Sequence, residues 1–240
     1  MVVMTLASLN RAVDGHIAAG RYLEALEMAE RFVSPERDTA SELLVQINLA
    51  EAEYNLGRWE MAWERLRDLD PLAAAFPIAR AGLSQQRAWI AAHTGRGDDA
   101  VHHWQRAELR DLPRPYHAEH FFTGAVALIG VGRLDAARRC ALAGADMAIR
   151  PSSKRNALFI RARVAAAAKE WMRAESLCRA AAAHPYRAQG GDGLLMWGDV
   201  LTRLGRADEA EQAYALAIER DGQSESARLA AGRARVVAEG

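Results

Sequence analysis

The chain has 240 residues, half of them hydrophobic, enough apolar surface for a sizeable core in one large domain or two small ones. Lys plus Arg and Asp plus Glu total 31 each, so the formal net charge is zero. The basic excess of a chain held on phosphates is absent, which argues against a nucleic-acid partner. No charge-free apolar run reaches the roughly 18 residues of a membrane span.

The N-terminus, "MVVMTLASLNRAVDGH", has no basic segment ahead of its apolar residues, and Asn10 and Arg11 break the run early. No signal peptide is expected and the predicted compartment is the cytoplasm. Lys154 and Lys169 are the only lysines, an arginine bias that fits a GC-rich bacterial genome. Cys140 and Cys178 have neither metal-ligand spacing nor the count of a disulfide framework.

Along the chain one decapeptide keeps returning. "GRYLEALEMA" starts at Gly20, "GRWEMAWERL" at Gly57, "GRGDDAVHHW" at Gly95 and "GRLDAARRCA" at Gly132. "KEWMRAESLC" starts at Lys169 and "GRADEAEQAY" at Gly205. The intervals are 37, 38, 37, 37 and 36 residues. Every copy places Ala five residues after its opening position, at Ala25, Ala62, Ala100, Ala137, Ala174 and Ala210. A glycine suits the left-handed backbone at a helix end. An alanine on the following helix lets two helices approach closely. Each second helix runs towards a proline or turn, at Pro35, Pro71, Pro113, Pro151, Pro185 or Gly222. No segment alternates with the period of a strand.

The unit is therefore helix, tight turn, helix, loop, repeated six times over about 5–37, 38–72, 76–112, 115–150, 152–186 and 188–221. Residues 224–239 read as a capping helix with Ser224 as its N-cap, giving about thirteen helices in a single domain.

The stretch Leu49–Pro71, "LAEAEYNLGRWEMAWERLRDLDP", and the stretch Leu201–Asp221 resemble the tetratricopeptide repeat (TPR) family over about residues 5 to 221. The resemblance implies an all-α fold, a right-handed superhelical solenoid of antiparallel helix hairpins. The repeats are degenerate: the period exceeds the family's, Lys169 replaces a turn glycine, and Glu53 stands where the family prefers a large aromatic. Sel1-like and pentatricopeptide repeats are neighbouring alternatives, and the neutral charge argues against the RNA-binding second class.

The resemblance also implies that the first helix of each hairpin lines a concave groove for a partner. By register the partner-binding residues are Asn48, Asn55, Trp89, His93, Phe122, Phe159, Arg163 and Arg203, with Asn10, Asp14 and Glu51 on the same faces. For Phe122 and Phe159 an inter-repeat core role is the competing reading. Asn10, Gly82 and Gln86 stand where the family's chaperone-tail clamp needs Lys or Arg, so that clamp is not expected. The expected function is a non-enzymatic scaffold or adaptor for a protein or peptide, amphipathic and acidic, with no cofactor, nucleic acid or membrane. The alternatives are a peptide-sensing regulatory receptor and a metal-dependent enzyme or sensor built on His102, His103, His117 and His120. No third and fourth ligand converge in the sequence on those histidines, and no catalytic residue is assigned.

Overall fold

The computed structural model describes residues 5–31, 39–186 and 191–239. Among them there is no strand, and no helix is long and apolar enough to cross a membrane. Six hairpins follow one another: α1 (Leu6–Ala18) with α2 (Tyr22–Glu30), α3 (Thr39–Asn55) with α4 (Trp59–Arg67), and α6 (Pro77–His93) with α7 (Gly97–Arg106). Then come α8 (His117–Gly130) with α9 (Leu134–Met147), α10 (Pro151–Ala167) with α11 (Trp171–Ala182), and α12 (Gly191–Arg203) with α13 (Ala207–Arg220). The last helix is α14 (Glu225–Glu239), and the Ser224 hydroxyl accepts the Ala227 N–H at 3.1 Å. The extra residues between hairpins are used in short turns. One-turn α5 (Asp70–Ala73) follows α4, and 3-10 turns at Leu109–Asp111 and Arg114–Tyr116 precede α8. Pro35, read as a helix stop, lies outside the described residues.

The repeated decapeptide is a turn device. Gly20, Gly57, Gly95, Gly132 and Gly205 all have φ between 71° and 76°, and Lys169 takes the same conformation at 62°. The residue after each donates its N–H to the carbonyl five positions back, from Arg21 to His16 at 2.9 Å through to Arg206 to Leu201 at 3.0 Å. That bond closes the first helix and aims the chain back along it. Lysine at φ 62° carries a steric cost that glycine does not.

The alanine five residues on is where the returning helix touches the first. Ala25, Ala62, Ala100, Ala137, Ala174 and Ala210 are all 0% exposed. Large residues fill the space beside small ones between helices. A Cβ at Gly124 would overlap the Trp104 indole, one at Gly144 the Phe122 ring, one at Gly193 the Phe159 ring and one at Gly198 the Tyr214 ring. Phe122 and Phe159 are therefore knobs in the packing between helices. They are 3% and 7% exposed, each within a core cluster.

Two polar groups are built into the core with their partners. Glu53, in the family's aromatic position, is 2% exposed and accepts two hydrogen bonds from Arg65 at 2.6 and 2.9 Å. Arg65 also donates to Gln46 at 2.7 Å, so the charge is paired and its geometry fixed. Arg87, 4% exposed, donates to the Leu66 and Arg67 carbonyls and to Asp70. It satisfies the open C-terminus of α4 from the next repeat.

Lys169→Gly should raise stability by about 0.5–1 kcal/mol by relieving the left-handed lysine, and Gly132→Ala should lower it by about 1–2 kcal/mol. No heavy atom lies near a Cβ at Gly132, so that loss reports backbone conformation alone. Denaturant titrations of the two variants measure both. Ala210→Leu should cost roughly 1–3 kcal/mol through overpacking, whereas Ala215→Leu, exposed on the same helix, should cost little. Ala92, outside the repeat's alanine register, is half-buried against two core clusters and is a poorer control. Melting temperatures compare the pair.

Candidate partner-binding groove

The first helices α1, α3, α6, α8, α10 and α12 stack in order, each packed on the next. The curvature of this stack is strong enough that α6 and α10 touch across α8. Arg163 Nη1 on α10 lies 2.8 Å from His93 Nε2 on α6. A guanidinium only donates, so Nε2 is the acceptor, the proton sits on Nδ1, and Nδ1 donates to the Trp89 carbonyl at 2.9 Å. Burial, helped by the Arg163 charge, pushes the His93 imidazole down to about 3, so the ring is neutral in this contact.

Aromatic rings surround it. The Trp89 ring centre is 4.4 Å from that of His93, and Tyr54 meets His93 edge-on at 5.4 Å. Trp89 also rests one side of its indole on the core. Carboxylates complete the lining. Glu51 on α3 is half-buried and pushed up to about 7, first by desolvation and then by the charge of Asp14 on α1. Asp192 on α12 is open to water on one side, yet the groove walls desolvate it and raise it, with Arg163 pulling the other way. Asp192 accepts from Ser226, and among the described residues neither it, Glu51 nor Asp14 sits in an ion pair.

The structure thus gathers three of the residues assigned from sequence, Trp89, His93 and Arg163, into one constellation. Asn48 lies on the groove-side register but donates to Asn10 at 2.9 Å, and Asn55 donates to the Glu51 carbonyl of its own helix at 2.8 Å. Arg203 is exposed, its guanidinium 5.9 Å from the Trp171 ring. Phe122 and Phe159 are corrected to core. The repeat register gives them equivalent positions on α8 and α10, where Phe122 packs on Gly144 of α9 and Phe159 on Gly193 of α12.

Sequence reasoning missed Asp192, which follows a glycine pair. Tyr54, 7% exposed and in a core cluster, meets His93 from the core side.

The histidines go elsewhere. His117 Nε2 donates to the Leu112 carbonyl at 2.9 Å. His120 lies 5.8 Å from the Trp104 ring, and burial pushes it down to about 4. His103 meets the edge of Trp63 and is also pushed down to about 4 by burial. Among the described residues no three His, Cys, Asp or Glu side chains are placed to hold a metal ion.

No family model matches the chain, and no curated protein sequence matches it. Solved structures do. A Rap protein complexed with Competence and Sporulation Factor aligns with TM-score 0.64 at 12% identity, over 91% of this chain and 77% of that one. TTC0263, a thermophilic TPR protein of Thermus thermophilus, aligns with TM-score 0.62 at 18% identity, over 81% and 99%. The Rap conjugation gene regulator of plasmid pLS20, in complex with the Phr* peptide, aligns with TM-score 0.62 at 13% identity, over 91% and 75%.

The raised Glu51 carboxyl sets a pH dependence. Its folded value of about 7 lies above its ordinary value of 4.5, so the folded state binds the proton more tightly. The resulting cost to folding is absent below 4.5, grows as pH rises and is complete above about 7. Glu51→Gln should therefore stabilise the protein by roughly 1–3 kcal/mol at pH 8 and by nothing at pH 4. Melting temperatures of the wild type and the variant across that range test the sign.

Proposed function

We propose that this chain, a helical solenoid of the tetratricopeptide type, is a single-domain, non-enzymatic adaptor that seats a segment of a partner protein on its concave face. It shares its fold with a Rap regulator solved in complex with the Phr* peptide, which supports the reading. The observation that carries it is the convergence of Trp89, His93 and Arg163, drawn from two first helices, onto one patch of that face. Aromatic rings beside polar and charged tips make up the core of recognition surfaces elsewhere. A solenoid offers such a strip along the inside of its curve.

The lining revises the expected partner. Arg163 and the histidines, read from sequence, point to an acidic segment, but Arg163 is engaged with His93. Asp14, Glu51 and Asp192 add negative charge around it. Charge complementarity then favours a partner that combines apolar anchors with Lys or Arg.

A peptide array sampling apolar segments with basic, neutral and acidic flanks tests this. Basic members should bind best, and their binding should weaken as salt rises. Asp14→Asn, Glu51→Gln and Asp192→Asn together should weaken that binding tenfold or more with helicity unchanged. Trp89→Ala should weaken basic and neutral peptides alike, since one aromatic anchor contributes about 2 kcal/mol at a hot spot. Preference for acidic peptides, or full binding by the triple variant, would overturn the partner's charge. Full binding by Trp89→Ala would move the site off this face.

A further inference from the structure

The two ends of the array meet. Tyr22, first residue of α2, donates its hydroxyl to Asp221 at 3.0 Å, across 199 positions of sequence. Next to it the Leu23 N–H reaches the Gln223 side-chain oxygen at 3.3 Å, and the Gln223 amide donates to Glu24 at 3.2 Å. A Cβ at Gly20 would stand 3.3 Å from the Asp221 carboxylate, and one at Gly57 2.9 Å from that of Glu225. Two hairpin turns at the start of the chain therefore abut the α13–α14 turn at its end, and the solenoid encloses its own axis.

This seam is unlike every other junction. Neighbouring hairpins share apolar side chains, whereas the cluster of Leu9, Val13 and Ile17 ends at Leu56 and the cluster of Phe159, Leu194 and Tyr214 begins at Leu158. No core cluster among the described residues has members on both sides of the seam. Tyr22 keeps its ring in the first cluster and sends only its hydroxyl across. Hydrogen bonds exchange for bonds to water at small net cost, but parting an apolar interface exposes surface that water disfavours. The seam is thus where the closed array parts most readily.

We propose that it is a gate: the array relaxes its curl, parting the α1–α2 and α3–α4 turns from the α13–α14 turn to open the concave face, while each hairpin keeps its apolar packing on the next. The inference rests on the concave face being the working surface. A chain segment without a free end could then reach the Trp89–His93 patch from the side. In the closed form Trp89, His93 and Arg163 are each only partly open to water.

A disulfide across the seam tests this without any partner. Leu23→Cys and Gln223→Cys are combined in a Cys140→Ser, Cys178→Ala background, with helicity checked by circular dichroism. Diethylpyrocarbonate labelling of His93, read by peptide mass mapping, reports access to the groove. With the disulfide formed, His93 should be labelled at least tenfold more slowly than in the same protein reduced and desalted. Tyr22→Phe with Gln223→Ala, which keeps the ring packing and removes seam hydrogen bonds, should label several-fold faster than wild type. Equal rates in oxidised and reduced protein would overturn the gate, as would an unchanged rate in the seam variant. The peptide array bears on the partner alone, so either result can fail while the other stands.

Discussion

A single left-handed residue per hairpin, with the hydrogen bond that reaches five positions back across it, fixes where each first helix ends and how the second leaves. Because that geometry is the same six times, each second helix meets its partner at the same alanine. The alanine sets the distance between helices, and the aromatic-on-glycine contacts then fill what remains. The concave face inherits its shape from this sequence of constraints. The curvature of the stack brings α6 and α10 within hydrogen-bonding distance and the two ends together.

Polar residues inside the stack tie repeats to one another. Arg87 reaches back from α6 to the C-terminus of α4, and Glu53 holds Arg65 from the next helix of its own hairpin. Each is buried with its hydrogen-bonding partners in place, so removing one partner would leave a buried charge uncompensated. The groove is the opposite case. Glu51 is left with desolvation and a like charge and no cation, so a cost to folding accumulates there.

The hairpins were legible in the sequence because the turn is a backbone requirement written at one residue. It survives even when Lys169 replaces glycine, since the alanine and the spacing remain. The concave lining was half legible. Register places a residue on a helix but does not say which of two adjoining faces it takes. Phe122 and Phe159 sit one face round from Trp89 and Arg163 and pack against glycines distant in sequence. The meeting of Tyr22 with Asp221 had no local signal at all. It depends on the accumulated curvature, which no single repeat encodes.

That meeting has a consequence for how such a chain can vary. An open helical array can lengthen or shorten by a unit, since each unit answers only to its neighbours. Here a duplicated or deleted hairpin anywhere in the middle would carry Tyr22 past Asp221 or leave it short. Closure therefore ties the chain to its number of units, as a bracelet of rigid links fits its clasp at one length only. Changes of sequence can accumulate within links, but a change in their number would have to arrive together with a new curvature.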